Sequence, residues 1–293
     1  MRRYLIIGSG GQLAGSFIER LRERGENFVA PPESELDITD TASLARAFAT
    51  VRPEVVLNCA AYNQVDLAES EGRRASWAVN RDGPAALAAA CAEVGATLVH
   101  YSTDYVFDGK HERPYDEDDV PAPLGAYGVS KLAGEEAVLA AGCYSLVLRL
   151  SWVFGPGEQN FLYKLLQWSQ RPGPLEVVDD QISVPTYTED IVTATLAALA
   201  GGLSGRYHLV GGGEPASRYE VAQALLELLP AEHPARACKL VPVPSSRFPT
   251  AAQRPAYSAM SGARLEAALG IFMPHWRDAI SRWLAKEQLY TKE

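Results

Sequence analysis

The sequence predicts an α/β fold: a Rossmann-type, doubly wound parallel sheet with a smaller, mixed substrate-binding region toward the C-terminus. Three observations predict it. Short, unbroken apolar runs recur through the first half of the chain, helix-like stretches separate them, and the first run ends in a glycine-rich turn that opens a helix. Strands buried on both faces lose the in–out alternation, and parallel neighbours need a helical crossover between them.

Taken in order, YLII at 4–7 is the first strand, GSGGQLAG the turn, and Phe17, Ile18 and Leu21 the apolar stripe of a helix that stops near Gly25. FVA is a short second strand. A helix-like stretch at 41–50 leads into VVLNCA (55–60), and the alanine-rich 84–94 leads into TLVHYS (97–102). A helix beginning at YGVSKLAGE (127–135) leads into SLVLRL (145–150). Beyond Gly155 the pattern loosens. Helices are expected at 161–170, 189–200, 218–229 and near 275–287, a short strand at Tyr207–Val210, and a proline-rich passage over 234–255. The division that follows is a dinucleotide-binding domain over 1–154, to which 186–207 returns. A substrate-binding region is formed by 155–185 and 208–293, whose long loops are where ligand contacts concentrate.

The 293 residues carry a net charge of −9 and no basic block, which argues against a nucleic-acid surface. The N-terminal MRRYLIIGSGG passes from a few apolar residues straight into glycines, which fits a buried strand better than a signal peptide. No segment approaches the ~18 apolar residues of a membrane span, so a cytoplasmic protein is expected. Cys59, Cys91, Cys143 and Cys238 form no CxxC pair and read as small buried side chains. The five histidines are scattered, and no metal-ligand spacing is present.

In the first turn, Gly8, Gly10 and Gly11 let the backbone bend sharply and approach a pyrophosphate, which would rest on free helix N–H groups. Ala14 occupies the third glycine position of the motif and still permits close helix–strand packing. The candidate cofactor set continues with Gln12 and Leu13. It adds Asp37 and Ile38 in LDITD, where an aspartate cap before a helix explains the acid equally well. Asn58, Ala60 and Ala61 end a strand on the same side. FVAPPESE offers neither an acid directly after the second strand nor an obvious arginine, which leaves the choice between NADH and NADPH open.

Tyr127 and Lys131 stand one helical turn apart, and Ser102 and Thr103 end the preceding strand at the carboxyl edge of the sheet. A ketone reduced by hydride develops charge on its oxygen and needs a proton donor and a hydrogen-bonding group. A tyrosine, with a pKa near 10 in water, does this work better with a cation nearby.

These pieces lie within a longer series: IGSGGQLA, LDITD, RPEVVLNCAAYNQVDLAE, AVN at 78–80, HYSTDYVFDG, YGVSKLAGE, LRLSWVFGPG, DDQISVPT and RPAYSAM. Over nearly its whole length the chain resembles the dTDP-4-dehydrorhamnose reductase family of the extended short-chain dehydrogenase/reductase superfamily. The resemblance implies NAD(P)H-dependent reduction of the C4 ketone of a dTDP-linked sugar. In that role Tyr127 is the proton donor, Lys131 its partner and the ribose contact, and Thr103 the third catalytic hydroxyl. It implies Asp104, Tyr105 and Trp152 beside the sugar, Asn160 and Arg254 toward the nucleotide and phosphates, and Asp66 and Glu69 near the site. A solvated helix face explains those last two acids more cheaply.

Ala14, Asn63 (usually threonine), Leu150 (usually threonine) and Ser183 (usually glycine) depart from the family pattern. Some relatives bind magnesium at a homodimer contact, but the acids of the terminal KEQLYTKE do not establish such a site. Two other readings remain at this stage. One is a reductase or epimerase acting on another nucleotide sugar, and the other a non-catalytic regulatory subunit of the methionine adenosyltransferase type.

Overall fold

A computed structural model describes residues 2–287. Six parallel strands form the central sheet. They are β1 (Arg3–Ile7), β2 (Asn27–Val29), β3 (Val55–Asn58), β4 (Thr97–Thr103), β5 (Ser145–Leu150) and a last strand, Gly205–His208, which pairs with β5. Across the sheet the order is Gly205–His208, β5, β4, β3, β1, β2. The order reverses between β1 and β3, so their carboxyl ends open the crevice where α/β sheets bind ligands.

The apolar runs explain the layers. Leu5 and Ile7 face one side, against α2 (Thr41–Val51) and the Gly83–Val94 helix; Tyr4 and Ile6 face the other, against α1 (Gln12–Glu23) and the Thr188–Ala200 helix. α1 buries Leu13, Ala14, Phe17 and Leu21 on one stripe, so the Ala14 methyl replaces the third glycine without opening a gap. Asp40 caps α2 by accepting from the Ala42 amide, while the Asp37 carboxylate accepts from the amide and hydroxyl of Thr39, both at 2.8 Å. Ile38 points into the core beneath Gly83.

A third apolar cluster holds the C-terminal region together, drawing on Leu165, Leu225, Ile280 and Trp283. The expected strand at Tyr207–Val210 lies at Gly205–His208, so it begins two residues earlier and adds to the main sheet. The proline-rich passage is more ordered than its composition suggests. Leu240–Val243 pairs in parallel with Leu175–Val178, with Pro242 opposite Val177 in a two-strand ladder where a missing N–H is tolerated. All four cysteines are free thiols. Among the described residues no helix is long and apolar enough to cross a membrane, and no group of His, Cys, Asp and Glu could hold a metal ion. The terminal QLYTKE falls outside the described residues.

Candidate active site

The glycine turn and the end of β3 form one wall of the crevice. Gly8 has φ +79°, and a Cβ there would come within 2.7 Å of the Ala60 amide nitrogen. That close approach is why glycine is required at this position. Gly10 faces open space, and Gly11 begins α1 without any side-chain cap, leaving the first helical N–H groups unclaimed by side chains. The Gln12 amide donates to the Val153 carbonyl at 3.3 Å, while its Oε1 is buried without a partner among the described residues. The close-approach glycine and the uncapped helix N–H groups suit a dinucleotide pyrophosphate over α1.

Opposite this wall, β4 delivers Thr103 and the Ala126–Ala140 helix delivers Tyr127 and Lys131; all three are buried. The helix is held at its start by Glu69, whose Oε1 accepts from the Ala126 amide at 2.7 Å. Asp66 accepts from the Ala252 amide and pairs with Arg254 at 3.0 Å. The two acids are therefore structural pins, and the solvated-face explanation gives way to these contacts. Asn80, in a π-helical turn, exchanges two hydrogen bonds with the Tyr62 backbone and so fixes the loop that carries Asn63. Asn63 Oδ1 accepts from the Tyr127 hydroxyl at 3.3 Å.

Burial drives the Tyr127 phenol well above its ordinary range, and the Thr103 side chain partly offsets the rise. The expected help from Lys131 is absent in this arrangement, because its ammonium donates to the Tyr101 carbonyl at 2.6 Å. Burial lowers Lys131 itself to about 8, against the pull of Glu135. His100, in the same buried layer, is held neutral by burial and by Lys131.

Asp104 lies behind Thr103, only 3% exposed. Its carboxylate accepts from the hydroxyls of Thr103 (3.1 Å), Ser183 (3.3 Å) and Ser258 (2.6 Å). Tyr105 meets Tyr127 edge-on, ring centroids 5.9 Å apart, and its hydroxyl accepts from Arg254 at 3.3 Å. Trp152 adopts φ +39°, an uncommon conformation for a bulky residue, and its ring lies under Arg218, 4.2 Å from the guanidinium carbon. Asn160 borders the crevice, yet its side chain is committed to the Gly155 and Gly157 carbonyls and the Tyr163 amide, capping the Phe161–Ser169 helix.

Sequence reasoning missed Arg218. It hydrogen-bonds Gln181 at 3.2 Å, stacks on Trp152 and Phe161, and borders two adjoining cavities. One, of about 210 Å³, reaches Gln12; the other, of about 520 Å³, is an apolar chamber lined by Leu165, Trp168, Val177 and Phe248. Only its place at the start of an expected helix marked Arg218 in the sequence. A larger cavity, about 790 Å³, sits by Arg3, Pro53 and Gly95 at the amino ends of the strands, away from all of these groups.

The matches to known proteins follow this geometry. The RmlD substrate binding domain model matches residues 1–289. The chain belongs to the RmlD family. Among its relatives, dTDP-4-dehydrorhamnose reductase of Mycobacterium tuberculosis is 41% identical over 288 residues, covering 97% of this chain and 92% of the relative. The dTDP-4-keto-6-deoxy-D-glucose reductase of Streptomyces niveus is 37% identical, covering 96% of each. The crystal structure of dTDP-4-dehydrorhamnose reductase from Bacillus anthracis in complex with NADP superposes with a TM-score of 0.91 at 32% identity, covering 97% of this chain and 99% of that one. Membership in the RmlD family thus rests on residues 1–289, from the glycine turn to the C-terminal region.

Proposed function

We propose that this chain is an NADPH- or NADH-dependent reductase that converts dTDP-4-dehydro-L-rhamnose to dTDP-L-rhamnose. The observation that carries the reading is the convergence of Thr103, Tyr127 and Lys131 at the carboxyl end of β4, facing the Gly8–Gln12 turn across the switch point of the sheet. Gly8, Gly10, Gly11, Gln12 and Leu13 cradle the dinucleotide, Asp37 borders its adenosine with the Ile38 side chain turned into the core beneath, and Ala60 and Ala61 lie along it. When bound, the nicotinamide supplies hydride to C4 of the sugar.

Tyr127 donates its proton to the C4 oxygen, and its elevated pKa keeps that proton in place until charge develops on the acceptor. Lys131 leaves the Tyr101 carbonyl for the ribose hydroxyls and then supports the phenolate. Trp152 and Tyr105 wall the sugar. Arg218 and Arg254 hold the diphosphate, since guanidinium forks suit phosphate oxygens, and the apolar chamber beside Arg218 takes the thymine. Asn160 shapes the crevice through its cap. The division of the chain follows: 1–154 with 186–207 for the cofactor, 155–185 and 208–293 for the nucleotide sugar. The pairing of Gly205–His208 with β5 supports the return.

Oxidation of NADPH and of NADH, each with dTDP-4-dehydro-L-rhamnose, tests this. Turnover that falls by about 10²-fold or more in Tyr127→Phe is expected. Turnover unchanged by Tyr127→Phe overturns the mechanism, and no turnover overturns the substrate. The Streptomyces niveus relative favours one second reading, reduction of dTDP-4-keto-6-deoxy-D-glucose, so that sugar is the parallel assay.

A further inference from the structure

Asp104 is placed where its carboxylate meets no solvent but three hydroxyls from three parts of the chain. Thr103 comes from β4, Ser183 from the segment after the Leu175–Val178 strand, and Ser258 from the stretch after Arg254. Thr103 Oγ1 has one hydrogen and two lone pairs. The hydrogen goes to Asp104 Oδ1, one lone pair accepts the Tyr105 amide at 3.2 Å, and one lone pair is left free. A hydroxyl fixed on two sides by a buried acceptor and a backbone donor has one orientation, whereas a free threonine hydroxyl rotates. Ser183 is wholly buried and Ser258 nearly so, and both donate to the other carboxylate oxygen, Oδ2. With Oδ2 anchored, Oδ1 is left aimed at Thr103.

We propose that Asp104 is a positioning residue that fixes the Thr103 hydroxyl so that its free lone pair is available to the Tyr127 hydroxyl, and that Ser183 and Ser258 hold it in that role. Glycine at position 183, as in the family pattern, supplies no such donor. The proposal rests on the reductase reading, because only a reaction at Tyr127 makes the orientation matter. Charged and titratable groups facing the carboxylate are the Arg218 guanidinium, which draws it toward ionisation, and the Tyr127 phenol, whose ionisation it opposes. Burial outweighs the guanidinium and the hydroxyls, lifting the acid to about 6 from 3.8. Its folded-state pKa is thus raised, so its contribution to stability is fully present below pH 3.8 and is lost as pH rises through about 6.

The test is a double-mutant cycle on kcat and KM, with Asp104→Ala, Ser183→Ala and Ser258→Ala each made in the wild type and in Thr103→Ala. In the wild type, Ser183→Ala should lower kcat roughly tenfold with KM little changed, since a hydrogen bond to a charged group is at stake. In Thr103→Ala the same substitutions should cost nothing further. Additive losses in both backgrounds, or a change in KM alone, overturn the proposal. If Asp104→Ala does not fold, the two serine variants carry the cycle.

A second readout needs no substrate. The fall in melting temperature between pH 4 and pH 7 should be smaller in Asp104→Asn, and in Ser183→Ala it should begin from a higher midpoint. An unchanged pH profile in Asp104→Asn overturns the buried-carboxylate premise. Wild-type inactivity on both keto sugars overturns the reductase reading and this proposal with it, whereas an active wild type with additive losses overturns this proposal alone.

Discussion

Arg218 stands on the first turn of a helix, above the face of Trp152 and within reach of Gln181 and Tyr105. A guanidinium can stack and hydrogen-bond in its own plane at once, which an ammonium cannot. Trp152 is held at φ +39° beneath it, so the pair is set before any ligand arrives. Arg218→Ala should therefore raise KM for the keto-sugar nucleotide by roughly ten- to a hundredfold, the worth of a hydrogen bond to a charged group. Arg218→Lys should recover only a small part of this loss, because it restores charge without the stack. Steady-state kinetics at saturating NADPH reads both; full recovery in the lysine variant would show that charge alone holds the ligand. The Tyr127–Lys131 spacing was visible in the sequence because one helical turn carries it. Arg218 was not, since it lies 66 residues from Trp152, and only the packed fold brings them together.

The helix that carries Tyr127 and Lys131 begins at Gly125 with no side-chain cap of its own, and Glu69 supplies one from a distant loop. A Cβ on Gly125 would lie 2.6 Å from Glu69 Oε1, so glycine makes room for the carboxylate. An anion at a helix N-terminus satisfies an orphan amide and interacts favourably with the helix dipole. Glu69→Ala should cost about 1–2 kcal/mol of stability and lower kcat more than it changes cofactor affinity. Denaturant unfolding and steady-state kinetics check the two parts; an intact kcat with reduced stability would separate the cap from catalysis. At this scale the sequence was legible wherever periodicity is local: β1, its turn and α1 lie within about two residues of their expected bounds. It was illegible where pairing is long-range. The Leu240–Val243 strand, with a proline inside it, forms because Leu175–Val178 offers a ladder, and the cap from Glu69 spans 57 residues. Neither leaves a periodic trace.

Across the whole molecule, the Ala126–Ala140 helix is bound to the sheet by a buried charge network. Arg149 on β5 and Glu135 on that helix are both fully buried and joined by three hydrogen bonds of 2.8–3.2 Å. Arg149 also covers the Phe107 ring at 5.1 Å and lies 3.4 Å from His208 on the last sheet strand, while Arg206 approaches Glu135 at 3.6 Å. His208 is kept neutral by burial and by the arginine, falling to about 3, so it adds no charge to a layer already carrying two guanidinium groups. Glu135 follows Lys131 by one turn and raises its pKa, which ties the network to the active site. Desolvation makes such a pair a poor source of net stability, but leaving Arg149 without its partner strands a buried cation. Glu135→Gln should therefore destabilise the protein by about 3–5 kcal/mol, whereas replacing both partners with apolar residues of similar volume should recover most of that loss. Thermal and denaturant unfolding of the single and double variants decide it. In any Glu135→Gln protein that still folds, Lys131 should titrate lower than in the wild type, because the carboxylate that favours its ammonium is gone. A single variant as stable as the wild type would mean that Arg206 and His208, rather than the ion pair, seat the Ala126–Ala140 helix on the sheet.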